Sequence, residues 1–261
     1  MPGSQPLAGR VALVTGASRR IAIGAAVARR LSADGAAVLV HGWSPADAEQ
    51  EWGADEGGAA ALVEELRAAG GRADLAEADL ADPEAPARLV AQARETFGRL
   101  DVVVATHARS SYQSLEELTA AEIDLTYAVN TRATLLLVQA FAAQHEGVPG
   151  GRVVLFTSGQ YNGGMPGELP YVASKGALHQ LTASLALHLM PRGITLNCVD
   201  PGPNDTGYAD DETRAAVAER SPGGRWGTPT DAARLVAWLA SDEADWVTGQ
   251  IVASDGGWSI R

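Results

Sequence analysis

The chain has 261 residues, 46% hydrophobic and 20% charged, which suits one large α/β domain spanning 1–261 and excludes a disordered chain. Its net charge of −12, with arginines scattered throughout, argues against a nucleic-acid or anionic-membrane partner. The single cysteine, Cys198, excludes an internal disulfide and a cysteine-rich metal site; no apolar run is long enough to span a bilayer and Met1 to Gln5 lack a signal pattern, so a cytoplasmic setting is expected.

Short apolar runs alternate with helical patterns from end to end. Strands are predicted at Val11–Thr15, Ala37–His41, Arg72–Ala76 (the weakest), Asp101–Ala105, Arg152–Thr157, Ile194–Val199 and Gln250–Ala253. Helices are predicted near 22–33, 57–69, 83–97, 119–144, 170–190 and 230–241. Local signals agree. Asp82-Pro83 reads as a cap with proline at the first helical position, and Thr119 and Glu122 have capping-box spacing. Gly35, Gly70 and Gly98 each fall where a helix should stop. This alternation predicts a Rossmann-like, doubly wound parallel sheet of about seven strands with helices on both faces, binding ligands beyond the strands' carboxyl ends. Two segments interrupt it: a turn-rich insertion near 42–58 and a pocket-shaping loop near 203–225.

The first strand runs into Thr15-Gly16-Ala17-Ser18-Arg19-Arg20-Ile21-Ala22-Ile23-Gly24, and a helix follows. Gly16 permits a tight turn. Ala22 and Gly24 leave room for a pyrophosphate, which the helix's free N–H groups and dipole would hold. The second strand ends in His41-Gly42-Trp43-Ser44, with no carboxylate there for a ribose diol. Ser18, Arg19 and Arg20 instead offer a hydroxyl and two guanidinium groups to a 2′-phosphate, so NADP(H) is expected ahead of NAD(H).

Nineteen of the twenty cationic side chains are arginine; the one lysine, Lys175, follows Tyr171 by four positions. That spacing places both on one helix face. Charges about 4 Å apart at an effective dielectric of about 20 interact by roughly 4 kcal/mol, enough to draw a tyrosine toward neutrality. Tyr171 is therefore a candidate general acid/base.

Together these residues resemble the short-chain dehydrogenase/reductase family over essentially the whole chain. Its glycine-rich start is similar to Thr15 to Gly24, with two extra residues and alanine at 22. Its adenine-side acidic residue matches Asp79, followed by Leu80, its helix-borne asparagine matches Asn130, and its serine matches Ser158. Tyr171 and Lys175 match the Tyr-x-x-x-Lys motif, and Asp200-Pro201-Gly202 with Thr206 resemble the nicotinamide-carboxamide loop. The resemblance implies hydride transfer between a nicotinamide and a carbonyl. Tyr171 is then the proton donor and Ser158 the carbonyl partner. Lys175 binds the ribose and lowers the phenol pKa, and Asn130 holds a water linking Lys175 to solvent. Trp43 and Ala105 fall at the ends of strands that flank the dinucleotide.

One motif departs from the family. Asn-Asn-Ala-Gly after the fourth strand is replaced by Ala105-Thr106-His107-Ala108. His107, Gln160 and Tyr161 are candidate substrate contacts, and packing is an equal reading for His107. No metal is expected. Similarity to 3-oxoacyl-carrier-protein reductases suggests a small or carrier-bound 3-oxoacyl thioester, with Arg109 or Arg132 as a docking patch. A secondary-metabolite ketone, a sugar or a cyclic alcohol remains an alternative, as does a non-catalytic dinucleotide-binding homologue. The family also implies a homotetramer built on the long helices and the C-terminal segment.

Overall fold

A computed structural model describes residues 5–50 and 52–260. Seven strands form one parallel sheet: β1 Val11–Thr15, β2 Ala37–Gly42, β3 Ala73–Glu77, β4 Val102–Ala105, β5 Gly151–Phe156, β6 Ile194–Asp200 and β7 Ile251–Ala253. Their spatial order is β3-β2-β1-β4-β5-β6-β7, every pair parallel. The order reverses between β1 and β4, so the ligand crevice opens above the carboxyl ends of those strands.

Helices cover both faces, and the strands show why their sequences read as continuous apolar runs. Val102, Val104, Val154 and Phe156 pack toward helices α1 (Ile23–Ala33), α3 (Gly58–Ala68) and α9 (Pro229–Ala240). Their neighbours Val103, Ala105, Val153 and Leu155 pack on the other face, toward α4 (Ala85–Phe97), α6 (Ala133–Gln144) and α7 (Leu169–Leu189). Cys198 lies in that second core, where burial pushes its thiol up to about 12.

The departures from expectation are local. Helix α4 starts at Ala85, and Asp82 caps the preceding turn by accepting from Glu84 N at 2.9 Å. Thr119 does cap α5 (Ala120–Tyr127), accepting from Glu122 N, but the Glu122 carboxylate pairs with Arg109 and Thr126 instead of closing the box. The helix expected over 119–144 is interrupted by a π-turn at Ala128–Arg132. Both irregular segments contain short helices: α2 (Ser44–Ala48) in the insertion and α8 (Asp211–Arg220) in the loop. Among the described residues no helix is long and apolar enough to cross a membrane, and no group of side chains could hold a metal ion.

Candidate active site

Three predicted residues converge at the carboxyl end of β5. Ser158 lies two residues beyond the strand, while Tyr171 and Lys175 sit one turn apart at the start of α7. The Tyr171 hydroxyl hydrogen-bonds with the Ser158 side chain. Lys175 is buried; its Nζ donates to the Phe156 carbonyl at 3.1 Å and lies 5.9 Å from the centre of the Tyr171 ring. Burial without a carboxylate partner lowers the Lys175 pKa to about 8.

The expected lowering of the phenol pKa is not what the protein alone produces. Burial of Tyr171 pushes it up to about 12, against the opposing hydrogen bond from Ser158, and Glu168, Tyr208 and Tyr112 push it the same way as burial. The four-residue spacing implies attraction from the ammonium, but desolvation of the phenolate is the largest effect on Tyr171, and Lys175 Nζ donates to Phe156 O.

Asn130 lies in the π-turn and is fully buried. Its amide clamps the backbone of Arg109, accepting from Arg109 N at 2.6 Å and donating to Arg109 O at 3.0 Å, and it also meets Ser174 Oγ at 2.9 Å. Both amide protons are thereby engaged with protein, so a water at this side chain would donate to Oδ1.

At the phosphate end, Gly16 turns with φ 73° and donates to His41 Nδ1 at 3.3 Å. Helix α1 begins after Ala22 with no side-chain cap and no acidic residue in its first turn. An open helix N-terminus at the sheet's switch point is a fitting cradle for a dinucleotide pyrophosphate. Gly24 is obligatory, because a β-carbon there would collide with Gly16 O and meet Thr106 Oγ1 at 2.6 Å. The second strand's end has no carboxylate, but the segments beyond it bring two nearby. Asp47, carried back by α2, hydrogen-bonds Ser18 Oγ, and Asp55 accepts from Arg20 N at 2.6 Å. A carboxylate is thus present at the ribose side, supplied from beyond the strand. Burial raises the Asp47 pKa, opposed by Ser18 and Arg19. Arg19 lies over the Trp52 ring at 5.3 Å, and its buried Nε has no hydrogen-bond partner.

A family model described as enoyl-(acyl carrier protein) reductase matches residues 16–259. The chain belongs to the short-chain dehydrogenase/reductase family. It is 38% identical to the uncharacterized oxidoreductase YjdA of Bacillus subtilis over 95% of this chain and 96% of that protein. It is 35% identical to versicolorin reductase 1 of Aspergillus parasiticus, over 98% and 99% of the two chains. Among solved structures, the angucycline C-6 ketoreductase LanV with bound NADP superposes with a TM-score of 0.86 at 34% identity, covering 99% of each chain. The protein is accordingly an oxidoreductase of CH–OH and C=O groups.

The remaining expected positions divide. In this short-chain reductase, Asp79 is exposed and caps its own turn through Ala81 N, Leu80 is buried beneath it, and Ala105 is buried at the end of β4. Gly202 turns with φ 60° against Asp255, Pro201 O accepts from Asn204, and Thr206 is half-buried beyond them. Ile23 opens α1 and Trp43 precedes α2, both half-buried. Gln160 folds back on its own turn, donating to Thr157 Oγ1 at 2.9 Å and accepting from Ser158 N, so it does not reach outward. Tyr161 is exposed and packs on His179 at 4.6 Å. His107 is buried, with both ring nitrogens hydrogen-bonded to protein. Arg109 is held by Glu122 and Glu49, and Arg132 donates to Ala81 O, so neither forms a free basic patch.

Sequence reasoning missed Asp47, Asp55 and an aromatic series. Trp52 of the insertion meets Tyr208 of the 203–225 loop at 6.4 Å, and Tyr208 meets Trp226 at 5.9 Å. The density of aromatic residues in two otherwise polar loops was the available signal; nothing local told that the loops would meet.

Proposed function

We propose that this reductase transfers hydride between NADP(H) and the carbonyl of a neutral, planar aromatic ketone, with Tyr171 as general acid. The observation that carries this reading is the Ser158–Tyr171 hydrogen bond set beside the buried Lys175. The bound nicotinamide would supply the hydride. Tyr171 gives its proton to the carbonyl oxygen as negative charge develops there, and Ser158 stabilises that oxygen by hydrogen bonding. Lys175 binds on the ribose side and holds positive charge beneath the phenol. A phenol near 12 is protonated at neutral pH and so is ready to donate. In the reverse direction it needs the added positive charge of an oxidised cofactor to ionise.

The substrate class rests on the lining. Tyr112, Tyr208 and Glu168 act electrostatically on Tyr171 and raise its pKa, so three phenols and a carboxyl group face one region. Aromatic rings favour stacking with a flat substrate. Versicolorin reductase 1 and the angucycline C-6 ketoreductase LanV are named as reductases of versicolorin and of an angucycline ketone, which supports a ketone substrate. A carrier-bound 3-oxoacyl thioester is less well served, because Arg109 and Arg132 are already committed. For the cofactor, Arg19 with its unpartnered Nε suits a 2′-phosphate, and the raised pKa of Asp47 eases loss of its charge when an anion approaches. LanV's bound NADP agrees. Exposed Leu187 on α7 and Trp246 near the C-terminus suit burial in a homotetramer, and a lone buried thiol suits a cytoplasmic setting.

The test uses β-tetralone and NADPH as probes. Tyr171→Phe is expected to keep NADPH binding within a few-fold while turnover falls by about a hundredfold or more. Near-normal turnover rejects the assignment.

A further inference from the structure

Ala105 and Thr106 stand at the end of β4 where the family has an asparagine pair. Ala105 has no polar side chain, but the two residues after it hydrogen-bond to neighbouring segments. Thr106 Oγ1 donates to Thr15 O. His107 makes the longer reach. Its Nδ1 lies 2.6 Å from Thr15 Oγ1, and its Nε2 lies 3.1 Å from Val129 O and 3.3 Å from Thr134 Oγ1.

The partners decide the tautomer. Val129 O can only accept. Thr134 Oγ1 gives its proton to Asn130 O at 2.8 Å, so toward His107 it also accepts. Nε2 therefore carries the hydrogen and shares it between the two. Nδ1 is bare and accepts from the Thr15 hydroxyl. The ring is neutral: burial, with His41 and then Lys175 adding to it, lowers its pKa to about 3.

Each end of this imidazole touches a different part of the site. Thr15 leads into Gly16, the turn that begins the phosphate loop, and Gly16 packs so closely on the His107 backbone that a β-carbon would come within 2.5 Å of His107 Cα. Val129 and Asn130 belong to the π-turn, whose widened geometry gives two successive carbonyls side-chain partners: Val129 O takes His107 and Asn130 O takes Thr134. From that turn the Asn130 amide clamps Arg109 and reaches Ser174, next to Lys175.

We propose that His107 is a positioning residue whose imidazole ties the dinucleotide-phosphate turn to the π-turn behind Lys175. It contacts neither substrate nor cofactor. Its effect runs through Thr15-Gly16 on one side and through Val129-Asn130 on the other. The inference rests on the dinucleotide reading above for its first readout only.

The two nitrogens can be separated by substitution. Asparagine places its amide oxygen near the Nδ1 position, and glutamine places its amide nitrogen near the Nε2 position. His107→Asn should keep the Thr15 bond and lose the π-turn bond; His107→Gln should do the reverse. The readouts are NADPH Kd by fluorescence and amide hydrogen exchange across 128–134 by mass spectrometry. For His107→Gln, Kd should rise about tenfold while exchange stays slow, the size expected for one lost buried hydrogen bond. For His107→Asn, exchange across 128–134 should speed by about tenfold while Kd moves little. His107→Leu, similar in volume but without polar atoms, should show both changes. If His107→Leu leaves both readouts within twofold of the parent, or if Asn and Gln change them together and equally, His107 is a packing residue and the proposal is wrong. Should the parent bind neither NADPH nor NADH, the dinucleotide reading fails by itself, while the exchange pattern still decides the tie to the π-turn.

Discussion

A buried cation lies near each end of strand β5, Arg152 within the strand and Lys175 on α7 beside it, and the two are treated in opposite ways. Arg152, near the amino end, is enclosed by acceptors: Nε to Ser241 O at 3.2 Å, Nη1 to Gly151 O at 3.1 Å, and Nη2 to Asp245 and to Asp242 at 3.4 Å. Lys175, at the carboxyl end, is as deeply buried but has one carbonyl and no carboxylate. Burial lowers both pKa values, yet for Arg152 the aspartates oppose it, while for Lys175 burial goes almost unanswered. The first arrangement holds β5 to the segment after α9. The second leaves an ammonium that can lose its proton near neutral pH. A buried charge left uncompensated at a strand's carboxyl end marks function; one surrounded by partners marks structure.

The comparison breaks most readily at Lys175. Lys175→Met should reduce turnover of β-tetralone by at least about a hundredfold, and it should not destabilise the fold. Moving the Lys175 pKa from 10.5 to about 8 costs the folded state about 3 kcal/mol while the group stays protonated, so its removal should raise the denaturation midpoint. A loss of both activity and stability would mean that Lys175 is structural after all. Lys175→Arg sharpens the point. It keeps a cation but not the pKa, and turnover should fall at least about tenfold with no gain in stability.

Arg152→Met should do the opposite. Stability should drop by about 2 kcal/mol, moderated by the exposure of Asp242 and Asp245, while kcat per folded molecule is unchanged. An equal loss of kcat would erase the contrast between the two ends.

A smaller effect follows from pH. Because the Lys175 pKa is lowered on folding, the unfolded chain binds more protons between about 8 and 10.5. This group's contribution to stability therefore rises with pH through that window, and its cost is full below it. The parent minus Lys175→Met difference in unfolding free energy should shrink as pH climbs from 8 to 10, measured by chemical denaturation.

The fold was legible because both faces of the sheet are covered: strands buried on two sides read as unbroken apolar runs, and glycines such as Gly98 stop helices by local rules. Gly16, Tyr171 and Lys175 were legible because a strand end and one helical turn set them, whereas Ser158 was marked by the family resemblance. What escaped depends on contacts between distant segments. Asp47 is brought to Ser18 only by α2, Trp52 meets Tyr208 only across two loops, and the partners of His107 come from β1, the π-turn and α6. The direction of the Tyr171 shift escaped too, since desolvation is a property of the packed site and not of the spacing.

Because the chain contains a single lysine, carbon-13 or nitrogen-15 lysine labelling gives one side-chain signal, and its titration by NMR reads Lys175 directly. A midpoint near 8 in the folded protein is the expected result, shifting upward on denaturation toward 10.5. A folded-state midpoint at or above 10.5 would show a solvated or carboxylate-paired ammonium and contradict the account.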